Sequence, residues 1–268
     1  MFIEMEIEVL IVISAFIGSI LSGLFGGGAG LIFTPTIYLF LSHTHPNSSH
    51  IMQTSITTMI ASLMVSGLAA IVKHHRYNYI DWKVLKWSAP LIITGSILGC
   101  FVMTHISSQS VIYVFSLATL ILAVRSTRKL IFHPPQNNIG SYHGWLFRYF
   151  GSFILGLIST LSGAASFVVP YYECIGLNIK KAIGTTTAVV WLYSIFVLIF
   201  MISLGLNQDN LPPGNIGFLN YKYLWLFMIP TIPGALLGAK LANILPERKL
   251  KILFTILLYF IGSSMLVS

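Results

Sequence analysis

Two interrupted apolar segments carry the groups of this chain that are best suited to bind a small anion. Glycine lets a backbone approach a ligand closely, and a helix that begins after a break presents unpaired N–H groups and about half a unit of positive charge. A tight turn or a close helix crossing is the alternative interpretation of the same glycines. The predicted site residues at the two breaks are Gly26, Gly27, Gly28, Gly30, Thr34, Ser162, Gly163 and Ser166.

Hydroxyl groups near the starts of two later apolar segments extend this predicted site. Thr54 and Ser55 begin one segment and Thr185 and Thr186 begin the other. A hydroxyl in a membrane helix more often bonds its own backbone one turn back, but the recurrence of the pair favours ligand contacts. Gln53 has Gly184 in the matching place, and it either bonds a neighbouring helix or contacts the substrate.

The sequence offers no group for catalysis inside the membrane. An intramembrane protease that used Ser162 would need a histidine base within reach, and all eight histidines fall in loops or at segment ends. Cys100 and Cys174 form no metal or disulfide pattern. We therefore predict that the protein is not an enzyme and that it has no metal site and no cofactor.

The composition identifies an integral membrane protein. Hydrophobic residues make up 56% of the chain and charged residues 8%, against about 25% charged residues in a soluble domain. The formal charge of +8 comes from basic residues in short loops, where they orient membrane helices. The expected partners are therefore the lipid bilayer and a small anionic substrate, and nucleic acid is excluded.

Apolar runs, continuous and not alternating, predict helices that cross the membrane. The second and seventh runs are about 12 residues long and would span about 18 Å of a core of about 30 Å, so we predict half-helices there. The ten runs lie at about 9 to 25, 30 to 41, 50 to 72, 84 to 103, 109 to 124, 145 to 161, 165 to 177, 181 to 204, 221 to 242 and 249 to 267.

The second part of the chain repeats the first. Asp81-Trp82-Lys83-Val84-Leu85 is matched by Asn220-Tyr221-Lys222-Tyr223-Leu224, and the pair Gly95 and Gly99 by Gly234 and Gly238. Broken hydrophobic helices at corresponding places of two repeats indicate the substrate site of a secondary transporter. We predict a first membrane repeat at residues 1–124, a cytoplasmic linker at 125–144 and a second membrane repeat at 145–268.

The basic residues predict the topology. An odd number of crossings per repeat with external termini leaves every lysine and arginine except Lys222 on the inner side, as the positive-inside rule requires. An odd number also inverts the second repeat relative to the first. The predicted fold is thus an all-α polytopic membrane protein with two inverted repeats, each with a broken re-entrant helix hairpin and three transmembrane helices. Both termini are predicted to be periplasmic or extracellular.

The order of these features resembles the sulfite exporter TauE/SafE family of membrane permeases. The resemblance rests on the Gly26-Gly27-Gly28 break followed by Pro35, on Gln53-Thr54-Ser55, on Lys73-His74-His75-Arg76 leading to Tyr79-Ile80-Asp81-Trp82, and on Gly95 with Gly99. It implies transport of a small sulfur-containing anion, such as sulfite or an organosulfonate, across the bacterial inner membrane. The second break departs from the glycine-rich family pattern, with Ser159-Thr160-Leu161-Ser162 before Gly163.

Two other functions stay open from the sequence. The chain could be an ion-coupled transporter of another small anion such as a carboxylate, or a structural membrane protein. A coupling ion, proton or sodium, and a homodimer are both compatible with the sequence, which gives neither the direction of transport nor the exact substrate.

Overall fold

Ten α-helices make up most of the part of the chain that the structure, a computed structural model, describes: residues 2–25, 30–132, 144–163 and 165–267. The predicted site residues Gly26, Gly27 and Gly28 lie outside these ranges. The helices are α1 (Phe2–Phe25), α2 (Gly30–Thr44), α3 (Ile51–Arg76), α4 (Trp82–Thr104), α5 (Ser108–Phe132), α6 (Trp145–Leu161), α7 (Val168–Cys174), α8 (Ile179–Gly205), α9 (Tyr221–Ile244) and α10 (Glu247–Val267).

Several of these helices have the length and composition of membrane spans. Among the described residues, α4, α5, α8, α9 and most of α10 qualify, and α3 is a sixth when its two segments, bent by 43°, count as one span. By contrast, α2 has 15 residues and α7 only 7, so α2 covers about 22 Å of a core of about 30 Å. The all-α polytopic membrane fold is confirmed.

Helices of the first half pack mainly on helices of the second half. α1, the first helix of the first half, packs on α9, the fourth helix of the second half. Likewise α6, the first helix of the second half, packs on α4, the fourth helix of the first half. In the same way α3 packs on α9 and α8 packs on α4, while α3 contacts α8 and α5 contacts α10. The two halves therefore share one set of interfaces.

Glycines produce the closest of these helix contacts. A Cβ at Gly95 of α4 would overlap the carbonyl oxygen of Phe153 on α6, and a Cβ at Gly238 of α9 would overlap that of Ile20 on α1. Small residues at such crossings let backbones approach and gain van der Waals contact. The glycine pairs that match between the two parts of the sequence are therefore close packing positions of α4 and α9.

α3 and α8 run in opposite directions. The side chain of Asn215, which follows α8, donates a hydrogen bond of 2.9 Å to Thr54 at the start of α3. At the other end, the backbone N–H of Asp81, which follows α3, donates to the hydroxyl of Thr185 near the start of α8, also at 2.9 Å. Each helix therefore begins where the other ends.

Two details differ from the sequence-based expectations. α5 continues to Phe132, into the segment predicted as a linker, where Ser126 bonds Thr255 and Thr127 bonds Tyr259 on α10. A short antiparallel hairpin, β1 (Asn215–Ile216) and β2 (Leu219–Asn220), precedes α9. This turn includes Gly217 with a φ of +56°, a conformation that glycine adopts without strain.

Candidate functional site

The start of α2, after the first break, meets Gly163 of the second break beside α3. A Cβ at Gly30, the first residue of α2, would overlap the carbonyl oxygen of Gly163, just after α6, and would lie 3.3 Å from the methyl carbon of Met59. A Cβ at Gly163 would lie 2.8 Å from Ile56 on α3 and 3.3 Å from the hydroxyl of Thr34 on α2. The structure thus brings together three residues that were predicted from separate breaks.

Gly163 gives the second break its shape. Its φ is +59°, in the left-handed region, so a side chain here would be strained as well as crowded by Ile56. The chain then makes a 3₁₀ turn at Ala165–Phe167 before α7. Because α7 is a helix of two turns behind a 3₁₀ turn, the N-terminus of α2 is the stronger of the two predicted anion-binding termini.

Three hydroxyls of the described helices are buried without a hydrogen-bond partner and lie at the breaks or on α8. Most others, such as Thr57 and Thr187, donate to a carbonyl one turn back in their own helix. Thr34, Ser159 and Thr186 have no partner. A buried polar group without a partner costs about 1 to 3 kcal/mol, so these positions are suited to a polar ligand. Ser116 on α5 shares the property.

The three residues differ in their position relative to the junction of the breaks. Thr34 faces Gly163 across the junction of the breaks, and Ser159 lies one helical turn before Gly163 on α6. Thr186 lies on α8, directly after Thr185. Sequence analysis missed Ser159; its only signal was its spacing of one helical turn from the break glycine.

Other predicted site residues have structural hydrogen bonds. Gln53 donates to the carbonyl oxygens of Met103 and Ile106 at 3.2 and 2.8 Å and accepts from Ser108 at 2.9 Å, so it joins α3 to the turn between α4 and α5. Of the two roles open for Gln53, the structure therefore shows the interhelical bond.

The remaining predicted hydroxyls also have partners, where the structure describes them. Ser55 donates to Ile51 and Ser162 to Ile158, each within or directly after its own helix. Thr54 accepts from Asn215 and Thr185 accepts from Asp81. The side chain of Ser166 lies outside the described parts of the chain.

Two similar hydrogen bonds join the first half of the chain to the second. The backbone N–H of Asp81 donates to Thr185, and that of Asn220 donates to Thr58 at 3.0 Å. Both donors are helix N-caps, since the side chain of Asp81 caps α4 and that of Asn220 caps α9. By this criterion Thr185 corresponds to Thr58, and not to Thr54 as their places near the helix starts suggested.

His74 is a buried polar residue close to the first break. It lies in the last turn of α3 with no exposed surface, and its Nε2 is 3.1 Å from the carbonyl oxygen of Gly23 in the last turn of α1. Its Nδ1 has no hydrogen-bond partner. The sequence predicts His74 in a basic inner loop in contact with lipid headgroups; the structure instead places it within α3, because α3 extends to Arg76.

The described residues contain no cluster of three or more histidine, cysteine, aspartate or glutamate side chains that could hold a metal ion. The polar groups at the junction of the breaks are backbone groups and hydroxyls, and both kinds of group can donate hydrogen bonds.

Comparisons with known proteins agree on the class. The model of a family described as "Sulfite exporter TauE/SafE" matches residues 10–265. A "Probable membrane transporter protein" of Haemophilus influenzae is 25% identical over 91% of this chain and 92% of its own length. Proteins with the same description from Bacillus subtilis and Methanocaldococcus jannaschii are 24% and 22% identical, over 90% and 100% of this chain and 93% and 100% of theirs. No solved structure matches significantly.

Proposed function

Because the chain belongs to the sulfite exporter TauE/SafE family, we propose that it is a secondary transporter that moves a small sulfur-containing anion, such as sulfite or an organosulfonate, across the bacterial inner membrane. The observation that carries this proposal is the junction of the two breaks, where Gly30 contacts Gly163 and the partnerless hydroxyl of Thr34 faces them. The relatives described as probable membrane transporters support the same class.

The first turn of α2 supplies the main binding groups in this proposal. Its backbone N–H groups have no partner within the helix, and they carry the positive end of the helix dipole. The hydroxyl of Thr34, one turn further along α2, adds a directional hydrogen bond. Such a site binds an anion without a lysine or arginine in the membrane core, where an unpaired charge is costly.

The antiparallel course of α3 and α8 supports an inverted arrangement of the two repeats. In transporters of this kind the substrate site lies between the repeats, and access alternates as one repeat moves against the other. The contact between Gly30 of the first repeat and Gly163 of the second is such a position. Motion between the repeats would therefore open and close the site directly.

Transport by purified protein in liposomes tests the proposal. We expect saturable uptake of sulfite or ethanesulfonate by the wild type and none by Gly30→Leu, because the leucine side chain would displace Gly163. Gly144→Ala is the matched control, since a Cβ there meets no atom within 4 Å. A ligand at a hundred times its Kd should also stabilise the protein by about 2.7 kcal/mol.

Equal flux through wild-type and Gly30→Leu protein would contradict the proposed site. Uptake of acetate in preference to both sulfur anions would instead identify a carboxylate transporter.

A further inference from the structure

A cavity of about 90 Å³ lies between α5, α7, α8 and α10. Its walls include Phe25, the last residue of α1 before the first break, and Val169 in the first turn of α7 after the second break. The cavity thus borders the chain at both breaks. Its polar lining consists of Arg125 and Ser126 on α5, Glu173 and Cys174 on α7, and Lys251 on α10.

The charges in this cavity do not cancel. Lys251 forms an ion pair of 2.9 Å with Glu173, whose side chain is 8% exposed, and the two charges compensate each other. The guanidinium of Arg125 donates a hydrogen bond to the sulfur of Cys174. A thiol is a weak acceptor, whereas a guanidinium carries five N–H donors whose geometry fits an oxyanion.

The remaining walls are apolar. Leu122, Val169, Ile183 and Phe254 belong to this lining. Arg125 is an exposed residue of α5, so its charge acts with the screening of water, about 1 kcal/mol on an anion about 4 Å away. One net positive charge in the lining, a volume of about 90 Å³ and mainly apolar walls fit a monovalent oxyanion with a short apolar part.

We propose that this cavity is a second anion site, in which Arg125 holds a small sulfonate or carboxylate on its way between the basic side of the protein and the helix breaks. The inference rests on the proposed transport function and adds to it a named cation and an entry point. Arg125 attracts the anion, and the pair of Glu173 and Lys251 joins α7 to α10 at the same cavity.

Cys174 provides a native reporter of this site. It lines the cavity and is partly accessible, whereas Cys100 is buried. In inside-out membrane vesicles that contain the full chain, the rate of modification of Cys174 is measured with an anionic methanethiosulfonate, the sulfonatoethyl reagent, and with its neutral methyl analogue. Peptide mass spectrometry assigns the modified cysteine, and Cys174→Ser confirms the assignment. Because both reagents react with the same thiol, its intrinsic reactivity cancels in the ratio of the two rates.

We expect the ratio of anionic to neutral rates to exceed that of free cysteine. Arg125→Gln should lower the ratio about fivefold or more, as expected for one unit charge about 4 Å away even with the screening of bulk water. Arg125→Lys should keep most of it. Arg128→Gln is the matched control because Arg128 is exposed on α5 as Arg125 is, but does not line the cavity. Ethanesulfonate should slow the modification more than sodium chloride of equal ionic strength.

Two results would overturn the proposal: a Cys174 that does not react, or a ratio equal to that of free cysteine and unchanged in Arg125→Gln. The transport proposal is tested separately with Gly30→Leu. An anionic preference that persists in Gly30→Leu, where transport is lost, supports the cavity as a site distinct from the breaks. Such a preference in a wild type that transports no sulfur anion would also support the cavity and would count only against the proposed function.

Discussion

A substitution of Thr34 distinguishes a ligand-binding role of its hydroxyl from a structural role. Because its hydroxyl is buried without a partner, Thr34→Val should leave the thermal stability unchanged or raise it slightly. If the hydroxyl bonds the anion, the same change should weaken transport by about tenfold, the value of one hydrogen bond of about 1 to 1.5 kcal/mol. Flux and thermal unfolding of the purified variant measure the two effects.

Thr36→Val is the control for this prediction. Thr36 lies on the same helix, and its hydroxyl donates to Ile32 at 2.8 Å within that helix. We therefore expect transport close to that of the wild type. A Thr34→Val variant with normal flux would remove the hydroxyl from the binding site.

Residue types predicted which residues meet at the junction of the breaks better than they predicted individual hydrogen bonds. Gly30, Thr34 and Gly163 could be predicted because a break in a membrane helix must be buried in protein or line a cavity. The roles of Gln53 and Ser162 could not, because a hydroxyl or amide takes whichever partner the tertiary structure places beside it. Ser159 was missed for the same reason, since it lacks the self-bond that most hydroxyls of these helices make.

At the scale of the elements, apolar length predicted the ten helices of the described residues but not where each ends. α3 runs to Arg76, and so His74 becomes buried beside α1. α5 runs to Phe132 because hydrogen bonds to α10 continue past the apolar run. The length of an apolar run predicts that a helix forms there. The ends of the helix depend on packing partners from distant parts of the chain.

A substitution at the crossing of α4 and α6 tests how tightly two helices pack. Gly95→Val should lower the thermal stability of the folded protein, because its side chain would overlap the backbone of Phe153. The backbones would have to separate, with the loss of van der Waals contacts along the crossing. Thermal unfolding in detergent, followed by size-exclusion chromatography, measures the change.

Gly67→Ala is the matched substitution on α3. A Cβ there would lie 3.4 Å from Trp191, an ordinary contact, and we expect little change in stability. A Gly95→Val protein as stable as Gly67→Ala would mean that the crossing of α4 and α6 is not tightly packed.

The whole molecule is predicted to have both termini outside and the segment between α5 and α6 inside. This prediction rests on the lysines and arginines, because this topology would place all of them except Lys222 on the inner side. Ser141→Cys, in a Cys100→Ser and Cys174→Ser background, should resist an impermeant thiol reagent in intact cells and react after the membrane is opened. Efficient labelling in intact cells would contradict the inverted topology.

The exchange of partners between the halves has a consequence for biosynthesis. α1 leaves the ribosome early, yet its main packing partner, α9, is made only after most of the chain. Until α9 is made, the face of α1 that carries Gly23 contacts lipid instead of α9. The face of α4 that carries Gly95 likewise lacks its partner until α6 is made. Late pairing over such sequence distances is slow and exposes intermediates, so completion of the fold depends on the last three helices. A nascent chain stopped before α9 would be inserted but not yet assembled, and its α1 would be open to capture by other membrane proteins or to degradation.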